Sequence, residues 1–170
     1  MKKILIIVAI LIIIVINNKV ENIIIPESSI RFRVIANSST IEDQLIKNNL
    51  SKNLGSYLTD LVKNAKSKEE ANNIINENYH NIDNYVRVFL NNNHIKTEYD
   101  LSIGRNYFEE KSYKGIKYNS GYYDSIVLSL GNKKGINWWC VMYPPLCLID
   151  ETDDVEYTTL VKDMLNKYKI

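Results

Sequence analysis

The order of patterns along the chain predicts an α+β fold. It runs from an N-terminal strand through an αα-hairpin to a mostly antiparallel sheet, and ends in a C-terminal helix. Three observations carry this. Residues 30–34 alternate apolar and charged, two amphipathic stretches each open on a capping box, and after His94 the apolar period changes to two. At 170 residues the chain is long enough for one domain with its own core. Lys and Arg number 21 against 20 for Asp and Glu, and no basic stripe is present, so a nucleic-acid partner is not expected.

The N-terminus reads as a separate piece. Two lysines precede thirteen unbroken apolar residues, 4–16, which end at Asn17-Asn18. As a helix that run spans roughly 20 Å, short of the ~30 Å hydrocarbon core. The length fits the apolar region of a signal peptide. No Ala-x-Ala site follows, so residues 1–18 are either a cleaved signal peptide or an anchor to the membrane. Residues 19–29, with Pro26 and Ser28-Ser29, carry no clear period and read as a linker.

The domain proper is expected over residues 30–150. Ile30, Phe32 and Val34 line one face of the first strand, and Arg31 and Arg33 line the other, read as solvated. Residues 37–40 form a cap-rich turn. Ile41, Leu45, Leu50, Leu54, Leu58, Leu61 and Val62 then mark a long helix reaching about residue 64, with Gly55 inside it. Ser67 with Glu70 opens a second helix whose stripe runs from Ala71 to Leu90. Thr97, Tyr99, Leu101 and Ile103 mark a strand that Gly104 ends. Residues 108–118 read as a hairpin turning at Lys114-Gly115, and residues 122–130 are the clearest strand. Residues 151–170 are expected to form the last helix.

Residues 135–150 hold both tryptophans, both cysteines and two of the three prolines. Residues 138–143 are aromatic and apolar throughout, as in a buried strand. Pro144 and Pro145 stop the ladder, since neither has an N–H to donate, and they make a rigid structural turn. On a strand Trp138 and Trp139 point to opposite faces, so one is expected in the core and the other is a candidate interface anchor. Beyond the membrane, two cysteines in one motif usually pair, and closing a loop of about eight residues contributes roughly 2–3 kcal/mol. Buried free thiols and a reactive Cys140 are the alternatives. A nucleophilic Cys140 needs a held base, and the two histidines, His80 and His94, sit on polar faces. The six-residue gap between the cysteines matches no usual zinc spacing, so no metal and no cofactor are expected. Arg33, Asn37 and Asn137 lie near turns, where solvated strand and cap chemistry competes with a binding role.

Asn137-Trp138-Trp139-Cys140-Val141, then Pro144-Pro145-Leu146-Cys147 and Asp150, resembles the signature of the stage II sporulation protein R family. Arg33, Ala36, Asn37 and Ser38, with Asp43-Gln44 after them, resemble its N-terminal motif. Gly104, Phe108, Gly121, Tyr123, Gly131 and Gly135 also match. Two departures stand out. An acidic residue is common in the family where Ser39 or Thr40 stands, and its first helix is more basic than Lys47-Asn48-Asn49.

The resemblance implies a protein that is not an enzyme. It would be a signalling protein of endospore formation, secreted from the forespore into the intermembrane space or anchored there by residues 4–16. It would activate a membrane-embedded aspartic protease of the mother cell, the sporulation sigma-E factor-processing peptidase, and so lead to processing of pro-sigma-E. The receptor-binding candidates are then Arg33, Asn37, Ser38, Asn137, Trp138 and Trp139, and Cys140 with Cys147 is the disulfide candidate. The competing reading is an exported, cysteine-dependent enzyme that acts on the cell wall through Cys140.

Overall fold

The computed structural model describes residues 23–147 and 154–169. The expected export segment, residues 4–16, lies outside the described residues. Among the described residues no helix is long and apolar enough to cross a membrane.

Among the described residues, seven strands and four helices follow in the expected α+β order. They are β1 (Ile23–Ile24), β2 (Ile30–Ile35), α1 (Ile41–Val62), α2 (Lys68–Glu77), α3 (Tyr79–Asn92), β3 (Tyr99–Phe108), β4 (Lys111–Tyr113), β5 (Ile116–Tyr118), β6 (Gly121–Leu130), β7 (Asn137–Tyr143) and α4 (Asp154–Tyr168). The main sheet has the order β3-β6-β2-β7. Its two outer pairings are antiparallel, and the central β2–β6 pair is parallel, with Phe32 opposite Ile126 and Val34 opposite Leu128. A parallel pair needs a crossover, and α1, α2, α3 and β3 supply it. A small sheet, β1-β5-β4, stands apart.

The alternation of β2 divides two cores. Ile30, Phe32 and Val34 meet Ile126 and Leu128 of β6 and the inner faces of α1–α3, through Leu50, Leu54, Leu58, Ile82 and Val86. All of these residues are buried. The helices thus cover one face of the sheet, as α+β packing requires. On the other side of the molecule, Ile23, Ile25 and Ile116 of the small sheet join Val141, Leu146 and, from α4, Tyr157 and Val161.

Several elements differ from the sequence expectation. The stretch read as a linker is, in its described part, packed: Ile23–Ile24 pairs with β5, and Ile25 and Ser29 are buried. A two-residue strand has no period to detect. The single second helix is two, broken at Asn78, whose side chain donates to the Ile74 carbonyl at 2.9 Å. Asparagine competes in this way for helix carbonyls. Gly104 does not end β3. It sits inside the strand at φ +139°, and pairing with β6 continues to Phe108. Ile41 and Leu45 do not belong to the apolar stripe and are 82% and 57% exposed. Nine helical residues turn the face by about half a circle, so Ile41 points away from Leu50. Lys47 takes the inner position in their place. The hairpin is as expected, with Lys114 and Gly115 both at positive φ between β4 and β5.

Candidate functional site

Among the described residues β7 is an edge strand paired only with β2, in the register Arg33 opposite Trp139 and Val34 opposite Trp138. Its alternation sends the two tryptophans to opposite faces. Trp138 packs on the helical side, edge-on to Phe32 at 5.5 Å between ring centroids. Gly55 of α1 lies beside the indole, where a Cβ would make ordinary van der Waals contact with Trp138 at 3.7 Å. Trp139 lies on the opposite face, edge-on to Phe108 at 5.4 Å, with the Lys111 ammonium 5.5 Å from its ring. Both indoles remain half-buried.

After β7 the chain folds back through a cis Tyr143–Pro144 bond and a turn in which the Leu146 N–H donates to the Val141 carbonyl at 3.1 Å. This brings Cys147 beside Cys140. The two are joined by a disulfide, with Cα atoms 5.4 Å apart. Neither sulfur is then a thiol, and neither exposed histidine lines the cavity beside Cys140.

The two arginines of β2 are not on a wet face. Arg31 is 2% exposed, and its guanidinium carbon lies 3.4 Å from the centroid of Tyr123, with Phe108 and Tyr118 further out. Arg33 is half-buried over Phe108 and Trp139. The alternation of β2 was legible, but the aromatic residues of β3, β5 and β6 that cover its second face come from far along the chain. Burial pulls both guanidinium pKa values down, while the Tyr123 hydroxyl opposes this at Arg31 and Glu109 opposes it at Arg33.

A second constellation surrounds Asn37 and Ser38. The Asn37 Nδ2 donates to Asp43 Oδ2 at 2.9 Å, and the Ser38 hydroxyl donates to the same oxygen at 2.5 Å. Asn37 Oδ1 accepts from the Asn132 N–H at 2.9 Å, and the Gln44 side chain donates to the Ser38 carbonyl at 2.8 Å. Gly135 N–H donates to the Ala36 carbonyl, and a Cβ on Gly135 would collide with the Ser38 carbonyl and the Ala36 methyl. Buried Lys47 donates to Gln44 and to the Ile136 carbonyl. Its place on the inner face could have been found by extending the Leu50-Leu54-Leu58 spacing backwards. The whole set is a clasp between the start of α1 and the β6–β7 loop. The hydrogen bond from Ser38, more than any other, holds the Asp43 carboxyl below the usual carboxylate range, and Asn37 and Thr40 add to it.

Residues 26–153 match the family model described as stage II sporulation protein R. This chain belongs to that family. It is 32% identical over 128 residues to the stage II sporulation protein R of Bacillus subtilis (strain 168), a match that covers 75% of this chain. The match covers 57% of that relative's length. No solved structure is significantly similar. Membership gives the chain a role in sporulation.

For this member of the stage II sporulation protein R family, the structure divides the motif residues by task. Ala36, Asn37, Ser38, Asp43, Gln44 and Gly135 build the clasp, and Gly131 enters beside Asn37 at φ +48°. Arg33, Phe108, Tyr123 and Trp139 stack on the second face of the sheet. Asn137 opens β7 opposite Ile35 and is half-buried. Pro144, Pro145 and the cysteines make the hook that closes the strand. Asp150 lies outside the described residues.

Proposed function

We propose that this chain is an exported signalling protein of endospore formation that activates the membrane-embedded, sigma-E factor-processing peptidase of the mother cell. On this reading the protease performs the chemistry, and this chain supplies a binding surface. Family membership is the observation that carries the proposal. It is supported by the lysine-led apolar run at residues 4–16, which suits export. It is also supported by the use of both cysteines in a disulfide, which leaves the competing thiol enzyme without its nucleophile.

The surface we favour is the end of the molecule organised by the clasp. There Ile41 and Leu45 on the first turns of α1 are exposed, as is Ile136, 64% open on the loop that Lys47 ties to that helix. Exposed large apolar side chains beside a rigid polar frame suit a protein partner.

The test is pro-sigma-E cleavage in cells that co-express the peptidase with this chain. Wild type should support cleavage. Ile136→Glu, which leaves the clasp and both cores intact, should lower it at least about tenfold. Absence of cleavage with wild type would sink the activator reading. Full cleavage with Ile136→Glu, and a loss confined to Trp139→Ala, would move the contact to the second face of the sheet.

A further inference from the structure

A groove of about 460 Å³ runs between α1 and α3, within the roughly 300–1,000 Å³ range of small-ligand sites. Half-buried Tyr85 and Phe89, with Val88 between them and Tyr57 of α1 alongside, form its apolar floor. Exposed Asn81, Asn84 and Asn92 of α3, and Asn93 just past its end, add amides at the rim. Among the described residues the lining carries no charged side chain.

Both floor and rim are held in place by the protein itself. Tyr57 and Tyr85 stack with ring centroids 4.7 Å apart and planes inclined by 14°. The Tyr85 hydroxyl donates to the Asn53 carbonyl at 3.3 Å. Val88, 42% exposed, continues the apolar surface along α3. Asn81 Nδ2 donates to Asn78 Oδ1 at 2.9 Å, and Asn93 Nδ2 donates to the Phe89 carbonyl at 2.8 Å. Each of these amides thereby keeps its oxygen as an acceptor. Asn84 does the reverse: its Oδ1 accepts from Arg87 at 2.5 Å, which keeps its NH₂ as a donor. Groups oriented in this way lose little freedom when a ligand binds.

The lining selects among ligand classes. A charged ligand gains little where no opposite charge faces it. An amphipathic helix needs an unbroken apolar groove, and here amides interrupt it. A sugar ring has an apolar C–H face and a rim of hydroxyls that both donate and accept. The first suits the electron-rich face of an aromatic floor, and the second suits amides of both senses. We propose that the α1–α3 groove binds a neutral oligosaccharide, its ring faces against Tyr85, Val88 and Phe89 and its hydroxyls on Asn81, Asn84 and Asn92. The lining runs about 16 Å along α3, longer than a single ring. The site stands independently of the protease-activating reading, since Tyr57 lies about 24 Å along α1 from Ile41.

The full chain, ¹⁵N-labelled on asparagine and tryptophan side chains in a detergent without a sugar headgroup, would be titrated to about 10 mM. The probes are cellotriose and tri-N-acetylchitotriose, with trigalacturonate, adenosine and glycerol as contrasts. The expected result is a saturable shift of asparagine side-chain amides with a neutral trisaccharide, while both tryptophan indoles stay in place. The three contrasts should bind at least about tenfold more weakly. Retention on cellulose or chitin beads as well assigns a polymer as the source, and a response to soluble sugar alone assigns a free oligosaccharide. Val88→Lys, which fills the groove from an exposed position, should weaken sugar binding at least about tenfold with its melting temperature unchanged. A preference for trigalacturonate or adenosine, or an equal response to glycerol, would overturn the proposal. So would unchanged sugar binding in Val88→Lys, or no response to either neutral trisaccharide.

Discussion

Asn37 offers the clearest separation of scaffold from surface. Replacing it with Ala removes two hydrogen bonds: its donation to the Asp43 carboxylate and its acceptance from the Asn132 N–H, both 2.9 Å. A bond to a charged group contributes about 1.5–3 kcal/mol and a neutral one about 1 kcal/mol. Ser38 still holds Asp43, so the carboxylate is not orphaned, and Asn132 is exposed and can turn to water. The expected loss is therefore about 2–3 kcal/mol. With a urea slope of about 2 kcal/mol/M for a domain of this size, the midpoint should fall by roughly 1–1.5 M. Tryptophan fluorescence of the full chain in mild detergent reports it, since both indoles lie in β7. In a double-mutant cycle with Asp43→Ala, the coupling should exceed about 1 kcal/mol. A midpoint shift below about 0.3 M, or additive single mutants, would show that the clasp does not stabilise the fold, and Asn37 would return to the list of surface contacts.

Two further outcomes follow from the same structure. Cys147→Ser, which opens the disulfide to Cys140, should lower stability by about 2–3 kcal/mol in oxidising buffer. Wild type and variant should converge once reductant is added, as urea melts under both conditions would record. Burial and a hydrogen bond to Asp83 push the Tyr99 hydroxyl up to about 12, and burial also raises Tyr118, Tyr143 and Tyr157. An acid whose pKa is raised by folding stabilises the fold below its unfolded value, near 10, and that stability fades as pH rises towards the folded value. The melting temperature should therefore drop between about pH 10 and 12. Tyr99→Phe should soften the drop, and an unchanged profile in that variant would refute its part.

Much of the fold was legible because it rests on local signals. The spacing allows either Ser39 with Glu42 or Thr40 with Asp43 as the first cap, and Thr40 takes it through the Asp43 amide; Ser67 caps the next helix through the Glu70 amide, as its spacing suggests. The alternation of β2 and β6 named the core face correctly. What stayed hidden is long-range. Nothing near Arg31 in the chain says that Tyr118 and Tyr123 will cover it, and nothing near Ile23–Ile24 names β5 as its partner. At the candidate site, the opposed tryptophans and the hook were readable from periodicity and proline chemistry. The clasp was not, because its hydrogen bonds join residues 36–47 to residues 132–136 through a loop that reads only as polar.

β2 lies between β6 and β7, with Phe32 in register with both Ile126 and Cys140. In a chain that emerges from its N-terminus, this central strand waits for both neighbours until roughly a hundred further residues have appeared. The main sheet has no paired strands before β6, and it is not complete before β7 and its cysteine hook. On the export route proposed above, threading through a membrane would meet little folded resistance from the main sheet until the last strand has crossed. On that route the final ladder and the covalent link that locks it would form together on the far side. The topology itself defers the main sheet to the end of the chain.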